Sequence, residues 1–197
     1  MRLLGLVILV AWLSAPAAGQ VPPAPDEAEV YRVALQALEF ESLGSRFKKH
    51  VLSASTFDPG GLWRALDHET IKTAPYLDPR RRLTYARPET VESFLAAIGT
   101  QKPLPQELRR LPAFLLVDAS EARAITARNG WRDFERRNAL APGSVSVSRI
   151  GFDPSGSQAL LYVDFVCGSL CGSGRFVLLE RSSGAWRVVK VDGYMES

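Results

Sequence analysis

The sequence predicts an α+β fold in which N-terminal helices pack on a C-terminal antiparallel meander sheet of four to five strands. Three observations carry that expectation. Val30, Val33, Ala34, Ala37 and Leu38 recur at helical spacing, and Val91, Phe94, Leu95 and Ile98 repeat the pattern further on. From Gly143 the period changes to two, with Val145, Val147 and the Ile150/Phe152 pair alternating with Ser144, Ser146 and Ser148. Turn sequences then separate apolar runs at short intervals, at Asp153-Pro-Ser-Gly156, at a glycine-rich cysteine loop and at Ser182-Ser-Gly184.

The chain opens with an export signal: Arg2, the apolar run Leu3 to Leu13, and the small residues Ser14-Ala-Pro-Ala-Ala-Gly19. Cleavage before Gln20 is the first expectation and cleavage after Ala17 the second. A retained anchor would need ~20 apolar residues, well beyond this run, and no later stretch approaches spanning length. Residues 1–19 are therefore read as a signal peptide, 20–25 as a proline-rich linker, and 26–197 as a single α+β domain. Within it, 26–112 is expected to be mainly helical and 113–197 to hold the sheet. The protein should then be periplasmic or secreted.

Composition narrows the function classes. Of 197 residues, 46% are hydrophobic and 23% charged, which is ordinary for a globular protein. The net charge of +3 is small, and the tight basic run Arg80-Arg81-Arg82 is short, reading as a solvated loop after Asp78-Pro79. Nucleic-acid binding is not implied, because it needs clustered cations on one face.

The elements follow in order. Pro25, Asp26, Glu27 and Glu29 suit a helix start, giving a helix from about Asp26 to Leu43, stopped at Gly44. Ser45 to Pro79 shows anchors at Phe57, Leu62, Trp63 and Leu66 but no sustained period, and is left unassigned. Pro88-Glu89 opens a second helix ended by Gly99. Lys102 to Pro112 is expected to wrap the surface with at most one turn of helix near Gln106 to Arg110. Ala113-Phe-Leu-Leu-Val117 reads as a short buried strand, and Asp118 with Glu121 as a capping-box spacing for a helix through Ala127, resuming from Trp131 to Asn138. Later strands are expected over Gln158 to Val166, Arg175 to Arg181 and Trp186 to Val191.

The segments Ser148-Arg-Ile-Gly-Phe152, Gln158-Ala-Leu-Leu-Tyr-Val163, Cys167-Gly-Ser-Leu-Cys-Gly-Ser-Gly174, Phe176-Val-Leu-Leu-Glu180 and Gly184-Ala-Trp186 together resemble a family of uncharacterised exported bacterial proteins. In that family S-R-x-G-F, A-L-x-Y-V, C-G-x-L-C-G-x-G, V-L-L-E and G-x-W motifs follow one another near the C-terminus. The resemblance covers roughly Leu111 to Ser197 and extends to Phe114-Leu-Leu-Val117, Trp131 and Phe134. It implies an exported domain and transfers no catalytic residue.

Candidate chemistry centres on Cys167 and Cys171, the two cysteines of the chain. In an oxidising compartment an even count favours a disulfide, and flanking glycines let the loop bend enough to close it. So short a ring stabilises by about 2 kcal/mol and chiefly fixes the loop's shape. A redox pair usually has two intervening residues, and two sulfurs without histidine make a poor zinc site. Neither a metal site nor a cofactor is implied. The two histidines, His50 and His68, lack a recognisable partner, since the position that would complete a metalloprotease helix is Lys72. Asp164 and Glu180, on strands flanking the cysteine loop, could face each other or pair with Arg175 and Arg187. Trp63, Trp131 and Trp186 suit packing.

Two function classes remain. One is a non-enzymatic exported module that binds a protein or small molecule of the cell envelope with Ser169, Leu170, Ser173 and Arg175 at the cysteine-loop end of the sheet. The other is a hydrolase or thiol-dependent enzyme using Cys171 or Ser173 with His50 or His68 as base, and the distance from histidine to loop discriminates them.

Overall fold

The computed structural model describes residues 26–38, 49–59, 78–126, 136, 143–168 and 171–196. Four helices and a seven-stranded sheet form from them, larger than the expected meander. The helices are α1 (Glu27–Ala37), α2 (Pro79–Arg82), α3 (Pro88–Ala97) and α4 (Ala119–Thr126). The strands are β1 (His50–Ser53), β2 (Phe114–Val117), β3 (Ser144–Val147), β4 (Gly151–Phe152), β5 (Gln158–Gly168), β6 (Cys171–Ser182) and β7 (Ala185–Glu196). Their order is β2-β1-β3-β5-β6-β7, with β4 also on β5.

The antiparallel part matches the expected meander: β3 and β4 pair with β5, β5 with β6, and β6 with β7. The last turn is Ser183-Gly184, both at positive φ (52° and 84°), which matches the twist of the strands it joins. The rest of the sheet corrects the expectation. His50–Ser53, inside the stretch read as mainly helical, forms a strand parallel to both β2 and β3. It is buried along its whole length, so its side chains show no alternation that a sequence reading could detect.

Helix α1 is shorter than expected. Asp26 caps it from outside, its carboxylate accepting the Glu29 N–H at 3.2 Å, and Leu38 has already turned to an extended conformation. A carboxylate at the cap position satisfies an otherwise orphaned amide. Helix α3 runs as predicted, from Pro88 to Ala97. Gln106–Arg110 forms one 3-10 turn, yet its segment does not merely wrap the surface, because Leu104, Leu108 and Leu111 are buried. Before α4, Asp118 accepts hydrogen bonds from the backbone N–H and the hydroxyl of Ser120. The helix expected over Trp131 to Asn138 lies outside the described residues except for Arg136, which is helical.

Two apolar clusters fill the two faces of the sheet. On one face Ala159, Leu161, Val163, Val177 and Leu179 pack with Val30, Tyr31, Ala34 and Leu35 of α1 and with Trp186, whose ring lies 6.0 Å from that of Phe152. On the other, Leu160, Tyr162, Phe176 and Leu178 pack with Val91, Phe94 and Ile98 of α3 and its flank. Alternate residues of β5 and β6 thus feed different cores.

Polar pairs fix the helices to the sheet. Arg87 and Asp153 form an ion pair at 2.6 Å, and Gln158 accepts from the Arg87 N–H and the Thr90 hydroxyl. The arginine run also proves structural. It forms a capped helical turn instead of a loop, with Arg80 and Arg81 exposed as expected, in which Arg80 holds Glu92 with two hydrogen bonds and Arg82 holds Asp192 with two more.

Helix α3 lies so close to β4 that a Cβ at Gly151 would collide with the Phe94 backbone. Backbone cannot step aside as a side chain can. Gly151→Ala should therefore destabilise the protein by about 3 kcal/mol, read as a lowered urea midpoint; an unchanged midpoint would contradict this packing.

Candidate functional site

The cysteine motif is strand almost throughout. Strand β5 runs on to Gly168 and β6 begins at Cys171, so the expected broad loop reduces to positions 169–170. Ser173 and Arg175 lie within β6, paired with Phe165 and Val163, whereas Ser169 and Leu170 lie outside the described residues. Glycines at 168, 172 and 174 offer no side chain to obstruct continued pairing.

Cys167 and Cys171 form a disulfide with Cα atoms 5.1 Å apart. In a regular two-residue hairpin these positions would point to opposite faces, because Cys167 would pair with Gly172. The observed register differs: Val166 pairs with Gly172 and Gly168 with Cys171, which leaves Cys167 as the extra residue of a β-bulge. The bulge turns the Cys167 side chain toward its partner. Bridge and bulge each supply the geometry that the other needs.

The same register separates the expected site residues. Ser173 and Arg175 share the α1 face with Val177 and Leu179, whereas Asp164 shares the α3 face with Tyr162 and Leu160. Asp164 is thus on the opposite face from Arg175. Nor does it meet Glu180, which pairs with Gln158 at the other end of the hairpin, six residues along the ladder, and accepts from the Gln158 amide at 3.1 Å. Glu180 sits directly across from Arg187.

His50 does not reach the cysteine motif. Strands β3 and β5 stand between β1 and β6, which puts about 14 Å of sheet between His50 and Ser173 at ~4.8 Å per strand. The imidazole instead packs edge-on to Phe165, with ring centres 5.6 Å apart, and near Phe114 at 5.9 Å. Desolvation lowers its pKa and favours the neutral ring. It also lines a groove of about 290 Å³ with Leu35, Leu38, Leu111 and Phe114. His68 lies outside the described residues, as do Trp63 and Trp131.

Asp164 is a feature to which sequence reasoning gave too little weight. It is half-buried, and burial raises its pKa from 3.8 to about 6. The signal available in the sequence was an acid in the middle of the apolar run Leu160-Leu-Tyr-Val-Asp-Phe-Val166. Asp153 shows the opposite behaviour. Burial pushes its carboxyl up, but hydrogen bonds from the Ser155 hydroxyl, the Gln158 and Ser157 amides and the Ser157 hydroxyl outweigh that and hold it at about 2.

Among the described residues no group of three or more His, Cys, Asp or Glu side chains could hold a metal ion. Nor is any described helix long and apolar enough to cross a membrane. The chain matches no family model, no curated protein and no solved structure.

Two predictions follow from this geometry. Thiol titration of the unreduced, denatured protein should find no free thiol, and two reactive thiols would refute the bridge. Stability should be greatest near pH 4. Asp164, with its raised folded pKa, favours folding below 3.8, and that contribution is lost as pH rises to about 6. Asp153, with its depressed pKa, stabilises above 3.8 and loses that contribution as pH falls toward about 2. In urea denaturation across this range, Asp164→Asn should remove the decline toward neutrality, on the order of 2 kcal/mol, and Asp153→Asn should remove the acid limb. A flat wild-type profile would contradict both assignments.

Proposed function

We propose that the chain is an exported, non-enzymatic binding module that presents the bridged end of β5 and β6 to a protein or small molecule of the cell envelope. This reading is in keeping with the exported proteins that its C-terminal motifs resemble. The observation that carries it is the disulfide across a bulge at the tip of the hairpin. A covalent link over so few residues contributes modestly to global stability, so its main physical effect is to hold one shape at that end of the sheet, which lowers the entropy lost on binding.

The placement of Cys171 and His50 weighs against their part in the enzymatic alternative. Cys171 is bridged, and His50 is held three strands from Ser173, beyond the ~3 Å that direct proton transfer needs. Oxidising compartments preserve such bridges, which agrees with export through the N-terminal signal.

The test is partner capture from envelope extract. Alanine at Ser169, Leu170, Ser173 and Arg175 together should weaken capture at least about tenfold while leaving the melting temperature within a few degrees. Full capture by that variant would sink the assignment of binding to this end.

A further inference from the structure

Four carboxylates that the fold partly or wholly buries have internal partners. Asp153 has Arg87 and two serine hydroxyls, Asp192 has Arg82 and Tyr85, Glu27 has Lys102, and Glu180 has Gln158. Asp164 differs. No hydrogen bond or ion pair joins its carboxylate to any described residue, and burial raises its pKa. A carboxylate withdrawn from water without a partner is costly, and such groups concentrate at functional sites.

Its surroundings suit a small cationic group. Asp164 lies on β5 directly across from Gly174, on the same face as Tyr162 two residues away. A Cβ at Gly174 would land on the Tyr162 hydroxyl, so that hydroxyl rests over the glycine. Directly opposed Cβ positions are about 5 Å apart, which puts the hydroxyl within reach of anything the Asp164 carboxylate holds. Gly172, the next β6 residue on this face, also carries no side chain. The disulfide and bulge begin immediately beyond, at Cys167.

We propose that Asp164 and the Tyr162 hydroxyl form a receptor for a primary ammonium group, such as a lysine side chain or free amine carried by the ligand of the hairpin end. The inference deepens the binding-module reading and rests on it. An ammonium is a compact charge with three donors, matched to a carboxylate and a hydroxyl offset from each other. A guanidinium is a planar fork that prefers two coplanar acceptors. Arg175 does not compete, because it is on the other face of the sheet.

The test titrates the purified protein with n-butylammonium chloride, followed by backbone amide shifts in ¹H–¹⁵N spectra, against sodium chloride at matched ionic strength and against n-butylguanidinium. The expected result is a saturable shift at Asp164, Gly172 and Gly174 with millimolar affinity, as suits so small a ligand. Asp164→Asn should abolish saturation while retaining a dispersed spectrum, and Tyr162→Phe, which keeps the ring over Gly174, should weaken binding several-fold. Absence of saturation, an equal response to sodium chloride or in Asp164→Asn, or undiminished affinity in Tyr162→Phe would overturn the site. Equal or tighter binding of butylguanidinium would overturn the ammonium assignment. Envelope capture that survives Asp164→Asn but fails in the tip variant removes this site and leaves the broader reading standing; capture that survives in the tip variant counts against that reading instead.

Discussion

The β5–β6 ladder is the constraint on which the rest of the structure depends. It pairs Gln158 with Glu180 at one end and Gly168 with Cys171 at the other, and every strand of the meander attaches to one of its two members. Because strand side chains alternate, the ladder delivers Leu161, Val163, Val177 and Leu179 to one core and Leu160, Tyr162, Phe176 and Leu178 to another. A slip of one residue would exchange the two sets. Register is therefore fixed from both sides at once, by α1 on one face and α3 on the other.

That double burial explains the placement of charge. Within the apolar middle of the ladder no charged residue appears, and the polar groups gather at its ends. At the end beside α3, Asp153, Arg87, Gln158, Thr90 and Glu180 satisfy one another in a connected network. Arg82 and Asp192 join α2 to the outer strand β7. At the cysteine end, by contrast, Asp164 lacks such a network among the described residues. The same physical rule, that buried polar groups need partners, makes one end a structural joint and motivates the ligand site proposed at the other.

The disulfide belongs to this division. Its bulge breaks the two-residue alternation just where the ladder ends, so it reorients Cys167 without disturbing the register that the two cores require. Placed a few residues earlier, the same bulge would have moved apolar side chains to the wrong face.

Much of the C-terminal architecture was legible in the residues. Period two from Gly143, the Asp153-Pro-Ser-Gly156 and Ser183-Gly184 turns, the α3 boundaries at Pro88 and Ala97, and the cysteine pairing are local consequences of side-chain type and chain stereochemistry. Strand β1 was not legible, because four residues buried throughout and paired in parallel carry neither alternation nor length. The roles of Arg80 and Arg82 also escaped, since Glu92 and Asp192 are brought to them only by folding. The sequence by itself determined which segments turn, which alternate and which two sulfurs meet, because those follow from neighbours along the chain. Only the tertiary structure decided that Asp164 and Arg175 occupy opposite faces and that a bulge aligns the cysteines, because face and register are set by pairing between strands.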